Sequence, residues 1–245
     1  MKPTIITEPS PLGLRPTFGF GDRIGLATPG HVAALGKSRF LPVFAQQSIR
    51  EMERTQRTPE EVISAARTGV EKAQWTAVWG ADADHLKTEE DVRRTADAGF
   101  TMFTIDPSAY VEPSADGMQL EELEPRLNAV MDEAGLGSIT ELEDRYLRQT
   151  WNLSPELALR FDDRLLLLRA AFKYGRALSH ADRMARCIQN ACGDRAFEIE
   201  LSVDETDTPT SPLEHLFIGL ELRRRGVKLI SLAPRYTGEF EKGVD

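Results

Sequence analysis

Four short stretches of this chain gather side chains able to hold a cation or move a proton, and each closes an apolar run. They are Gln46 and Gln47, then Asp82, Asp84 and His85, then Asp106, then Asp204, Glu205 and Asp207. Carboxylates can accept or return a proton, and carboxylates joined by one imidazole make a donor set for a divalent ion such as Mn²⁺, Ni²⁺, Zn²⁺ or Mg²⁺. Each member also has a plainer use. Asp82 and Asp84 can cap the turn into a following helix, and Asp106 precedes Pro107 as turn residues do. A single histidine such as His85 is often a satisfied structural group, but its place beside two acids weighs toward a site.

The elements that would position these groups are legible from punctuation and period. In Phe197–Asp204, Ile199, Leu201 and Val203 alternate with Glu198, Glu200, Ser202 and Asp204, the pattern of a strand with one apolar and one carboxylate-rich face. Ser211, Pro212 and Glu214 then form a capping box for a helix over Leu213–Arg225. The same rhythm occurs upstream. Phe40–Gln46 reads as a strand, Thr58 and Pro59 open a helix to Lys72, Trp75–Gly80 reads as a second strand, Thr88 caps a helix ending at Gly99, and Phe100–Ile105 reads as a third. Between Asp106 and Phe197 only helices are expected, over Leu120–Glu133, Thr140–Gln149 with Ser138 as cap, and Pro155–Asn190. Val227–Leu232 is the last expected strand.

Strands alternating with helices predict a parallel α/β sheet with polar groups at its C-terminal rim. The expected fold is a (β/α)8 TIM barrel, incomplete here at about five βα units, with a helical insertion at about 107–195 after the third strand. The barrel region would run over 38–245, and residues 1–37, rich in proline and glycine, are expected to be irregular. An open doubly wound sheet is the rival, but an acid-lined strand face suits a barrel lumen better than a helix-covered surface.

Bulk properties narrow the partners. The formal net charge is −9, and the one dense basic run, Arg223–Arg225, falls in a last helical turn, so a nucleic-acid partner is not expected. Cys187 and Cys192 are five apart, which is not a zinc spacing, and are read as free thiols. The start lacks an apolar signal region and no apolar run reaches bilayer length, so a cytoplasmic protein with no membrane partner is expected. Homo-oligomerisation is left open. The Gly-x-Gly of Phe18–His31 has Ile24 at the third glycine position and no strand ahead of it, which argues against a dinucleotide loop. Arg23 in that segment can clamp a substrate carboxylate, or pair with Asp22 or another neighbouring acid.

Four longer motifs carry a resemblance: FGFGDRIGLATPGH at Phe18–His31, FAQQSIREM at Phe44–Met52, GADADH at Gly80–His85, and SVDETDTPTSPLEH at Ser202–His215. Together, in this order, they resemble the tagaturonate epimerase family. The resemblance implies a metal-dependent TIM-barrel isomerase that interconverts two ketouronates, tagaturonate and fructuronate, in hexuronate breakdown, with relatives acting on the tagatose and fructose ketoses. It also implies a longer whole protein, continuing past Glu239–Asp245 into strands that bring further site residues, so that this chain is an N-terminal piece.

The chemistry so implied has a definite demand. The two ketouronates differ at the carbon β to the ketone, where enolisation cannot invert configuration but retro-aldol cleavage and re-addition can. On that reading His85 and Glu205 are expected as metal ligands, for Mn, Ni or Zn. Asp84, Asp204 and Glu205 are expected as acid/base groups, and Arg23, Gln46, Gln47 and Asp106 as substrate contacts. A metal-dependent sugar aldolase or isomerase on the same residues, or an incomplete sugar-acid-binding fragment, is the alternative.

Overall fold

The computed structural model describes residues 4–238, so the expectation placed on Glu239–Asp245 lies outside the described residues. In chain order the elements are strand β1 (Thr17–Gly21), helix α1 (Thr28–Leu35), β2 (Leu41–Ser48), α2 (Ile49–Thr55), α3 (Pro59–Lys72), β3 (Asp82–Leu86), α4 (Glu89–Ala98) and β4 (Met102–Ile105). They continue as α5 (Leu120–Ala134), α6 (Ile139–Tyr146), β5 (Thr150–Asn152), β6 (Ala158–Arg160), α7 (Arg164–Cys192), β7 (Glu198–Ser202), α8 (Pro212–Arg224) and β8 (Ser231–Ala233). Two short 3-10 turns, Ser108–Tyr110 and Pro113–Gly117, follow β4.

The protein is α/β, with a six-stranded sheet in the order β1-β2-β3-β4-β7-β8. The pairings from β1 through β7 are all parallel. Parallel neighbours need helical crossovers, and the sequence starts those helices firmly. Ser48, Thr58, Thr88, Ser138 and Ser211 each accept a bond from the amide three residues on, and in each case the acid there answers the cap's own amide.

Three expectations are corrected. Residues 1–37 are not irregular throughout, because β1 pairs with β2 through Thr17↔Leu41 and Gly19↔Val43, and α1 follows. The second expected strand, Trp75–Gly80, is displaced to Asp82–Leu86. Trp79 is fully buried and donates its indole N–H to Ile6 O at 2.9 Å, holding the N-terminal segment instead of extending a strand. The insertion is not purely helical: β5 and β6 form an antiparallel hairpin, and the long helix begins at Arg164 and not at Pro155.

The chain divides into two compact units. The first contains Met1–Asp106, Arg183–Leu201 and Lys228–Ser231. Its sheet has an apolar face on which Ala83, Phe103 and Ile199 align strand to strand, followed by Leu86, Ile105 and Leu201, all at most 4% exposed. Helices α3 and α4 pack against β2 and β3, burying Val62, Ile63, Ala66, Val70, Val92 and Ala96. The second unit contains Pro107–Asp182, Ser202–Val227 and Leu232–Asp245. Its core is drawn from helix faces, including Leu123, Leu127, Met131, Leu142, Leu167, Leu168 and Phe217. No described helix is long and apolar enough to cross a membrane.

Candidate active site

Strand alternation places Asp82, Thr104 and Glu200 on the face opposite Ala83, Phe103 and Ile199. At the lower end of this face the Glu198 carboxylate is occupied structurally, accepting the amides of Leu12 (3.0 Å) and Gly13. Above it, Thr104 Oγ1 lies 3.0 Å from Asp82 Oδ1 and 3.4 Å from Glu200 Oε1, and Gln46 Nε2 donates to Asp82 Oδ2 at 3.2 Å. Asp82 is 1% exposed. Burial, then the charges of Asp84 and Glu200, push its carboxyl well above the usual carboxylate value. Glu200 is raised as well, by burial and the nearby Asp84, against a hydrogen bond from Ser231. The capping use weighed for Asp82 is therefore not its use in the fold.

At the C-terminal rim the strand carries an extra residue. Ala83 pairs with Phe103 but Leu86 pairs with Ile105, so three steps along β3 match two along β4. This is a β-bulge, and His85 sits in it with a left-handed φ of 55°, a conformation β-sheets otherwise leave to glycine. The bulge returns Leu86 to the apolar core while leaving two consecutive polar residues, Asp84 and His85, off that core. Their side chains are 23% and 19% exposed, and His85 Nδ1 lies 2.9 Å from Asp84 Oδ1.

Asp106, the first residue after β4, is 3% exposed and ion-paired with Lys87 Nζ at 3.1 Å. A ring nitrogen of His85 and a carboxylate oxygen of Asp106 lie within 4.8 Å of one another. One imidazole and one buried carboxylate at that separation form a donor pair that suits Mn²⁺, Ni²⁺ or Zn²⁺, so the residues present fit a divalent ion. The first unit thus brings together Gln46, Asp82, Asp84, His85 and Asp106.

Other expected residues stand apart. Gln47 pairs in register with Ala83 and donates to Glu51 Oε2 at 3.1 Å, on the other side of the sheet from Gln46. Arg23 Nε donates to Glu51 Oε1 at 2.9 Å, the neighbouring-acid pairing weighed beside the clamp reading, while Asp22 instead accepts the amides of Gly25, Leu26 and Ala27. Asp204 and Glu205 lie in the loop that leaves β7, within the second unit, where Asp204 accepts a bond from Ser202 Oγ. Cys187 and Cys192 are buried free thiols. His180 stacks on Tyr110 and His31 on Phe20.

Thr104 and Lys87 were not singled out from the sequence. Thr104 was findable, because it falls two residues before Asp106 and so shares its strand face. Lys87 carries no local signal, since only the fold sets it against Asp106.

The decisive comparison is one of sequence along nearly the whole chain: the tagaturonate epimerase family matches over residues 2–245. The chain belongs to the tagaturonate epimerase family. It is 43% identical over 238 residues to a protein of Thermotoga maritima named tagaturonate/fructuronate epimerase, covering 97% of this chain and 47% of that protein. The native crystal structure of the fructuronate-tagaturonate epimerase of Cohnella laeviribosi superposes with a TM-score of 0.87 at 37% identity, and its complex with one glycerol does so with 0.87 at 38%. Both matches cover 97% of this chain and 47% of theirs, so the chain spans about half the length of the relatives it matches.

Proposed function

We propose that this chain supplies one part of the active site of a metal-dependent epimerase that interconverts D-tagaturonate and D-fructuronate, on a (β/α)8 barrel to which its parallel strands contribute. The observation that carries the reading is the β3 bulge, which sets Asp84 and His85 side by side next to Asp106 in a member of this family. His85 and Asp106 would hold the ion with Glu205, whose loop leaves the strand adjacent to β4. A bound divalent ion would supply Lewis acidity at the substrate ketone.

The chain's own residues account for the proton traffic. Inversion at the carbon β to the ketone needs a base for the hydroxyl on that carbon, and Asp84 and Asp204 are carboxylates suited to it. As the hydroxyl loses its proton, its oxygen forms an aldehyde carbonyl and the bond between the α and β carbons breaks. The electron pair of that bond remains with the ketone fragment as an enolate. The aldehyde turns, the enolate carbon attacks its other face, and the carboxyl returns the proton.

Asp82 and Glu200, held toward their neutral forms, limit the negative charge of this wall. That favours an anionic sugar acid near so many carboxyl groups. Gln46, fixed on Asp82, offers a neutral amide to substrate hydroxyls. The setting is expected to be cytoplasmic, with a free ketouronate or related ketose as substrate.

The test uses the whole-length protein with tagaturonate and Mn²⁺, Ni²⁺ or Zn²⁺. Fructuronate should form, and in D₂O it should carry no deuterium on carbon, since no carbon-bound proton is exchanged. Absence of fructuronate with every metal overturns the reading. Net release of three-carbon products, or formation of an aldose, favours the aldolase or isomerase alternative.

A further inference from the structure

Lys173 of α7 is 1% exposed, and burying an ammonium is costly unless each of its protons is bonded. Its Nζ is 2.9 Å from Asp116 Oδ2, 2.8 Å from Thr208 Oγ1 and 2.9 Å from Glu214 Oε1, so three N–H donors meet three acceptors. Burial alone would lower its pKa, but Glu214 and Asp116 more than offset this and raise it, which keeps the group charged. The three acceptors come from three different segments. Asp116 is in the 3-10 turn Pro113–Gly117, Glu214 is the capping acid of α8, and Thr208 belongs to the loop between β7 and α8. Thr208 also donates its hydroxyl to Asp116 Oδ2 at 2.7 Å, so it is held from both sides.

That loop is fastened by one tie that spans Glu205 and by a second just beyond it. Thr206 Oγ1 donates to Val203 O at 2.9 Å, tying the loop to the end of its strand, and Thr208 is tied to Lys173. All these groups belong to the second unit.

We infer that Lys173 is a positioning residue that acts through Thr208 to hold the Glu205 loop in a metal-binding conformation. The inference rests on the proposed ligand role of Glu205. A carboxylate on a loop binds an ion well only when the loop's conformational entropy has been removed beforehand, and groups behind the ligands supply that order.

Thr208→Val is the informative variant, because it severs the link to the loop while Lys173 keeps both carboxylate partners. Lys173→Met would strand two acids and endanger folding. In the whole-length protein, Mn²⁺ affinity measured by titration calorimetry on metal-free T208V should fall roughly tenfold. Its metal-free melting temperature should fall by only a few degrees, because one proton of the buried ammonium loses its acceptor while the two carboxylates remain, and kcat should fall with KM little changed. Thr208→Ser, which keeps the hydroxyl, should restore affinity. Wild-type Mn²⁺ affinity in T208V, or failure of T208S to restore it, overturns the inference. Glu205→Gln separates the two readings: if E205Q binds Mn²⁺ as wild type does, Glu205 is no ligand. If E205Q binds weakly while T208V binds normally, Glu205 stands and the role of Lys173 falls.

Discussion

Gly19 of β1 and the carboxamide of Gln46 compete for the same space: a Cβ on Gly19 would stand 2.0 Å from Gln46 Oε1. The obstructing atom ends a flexible side chain, so the sheet can survive a substitution that Gln46 in its present place cannot. Gly19→Ala should swing Gln46 away from Asp82, losing a hydrogen bond that contributes about 0.5–1.5 kcal/mol. In the whole-length protein, kcat/KM of the proposed epimerisation should fall severalfold, with the melting temperature moving by only a few degrees.

The Asp82 and Glu200 carboxyls predict a stability that improves in acid. Both are held above their ordinary values of 3.8 and 4.5, chiefly by burial. As pH rises past those values an unfolded carboxyl ionises while its folded counterpart keeps its proton. The unfolded state gains, and the loss to the folded state is complete once pH exceeds the folded pKa. Asp82→Asn removes that liability. Metal-free D82N should melt about 2–4 °C above wild type at pH 7.5, as about 1 kcal/mol does in a protein this size, and the gain should shrink toward pH 4. In the whole-length protein the proposed epimerase activity should drop. A constant gain across pH would mean that Asp82 is ionised in the fold.

His85 combines a proposed ligand role with left-handed backbone. Replacing it with glycine should relieve about 1 kcal/mol of backbone strain. His85→Gly is therefore expected to melt at or above the wild-type temperature without metal, yet to gain nothing from Mn²⁺. Wild type should gain about 2.7 kcal/mol at a hundredfold excess over Kd. Thermal scans with and without Mn²⁺ check both halves.

In the second unit, Glu221 is fully buried beneath Tyr146 and three arginines. Tyr146 donates to it at 2.7 Å, Arg224 pairs with it at 2.7 Å, and Arg145 and Arg225 lie 3.7 and 3.8 Å away. Glu221→Ala leaves that positive charge without its partner and should cost about 3–5 kcal/mol. Urea unfolding should show the loss as a lower midpoint at unchanged slope.

Much of this was readable in the residues because it depends on neighbours close in sequence. Thr58 and Ser211 announced their helices through acids three positions on, Thr88 and Ser138 did so as cap residues, and the alternation of Glu198, Glu200 and Ser202 with Ile199 and Leu201 gave β7 its two faces. What escaped depended on distant partners. β1 is stabilised by pairing with β2 despite two glycines in five residues, a composition that reads locally as loop. β3 begins at Asp82 because the sheet supplies Thr104 and Gln46 to satisfy an acid that strand propensity disfavours. Of the expected site, Asp84, His85 and Asp106 were recognisable as polar residues closing apolar runs. The opposite facing of Gln46 and Gln47 required the register with Ala83, which no local pattern supplies.

The extra residue in β3 also separates two things that a regular strand ties together. With strict alternation, every insertion that adds a polar group would turn the apolar residues behind it outward. Here the slip ends at Leu86, which is back on the core face with Ala83. Removing one codon at position 84 would leave the stack of Ala83, Leu86, Phe103 and Ile105 in ordinary register and delete the adjacency of acid and imidazole. In this strand, then, the step between a plain wall and one that sets a carboxylate beside an imidazole is a single inserted amino acid.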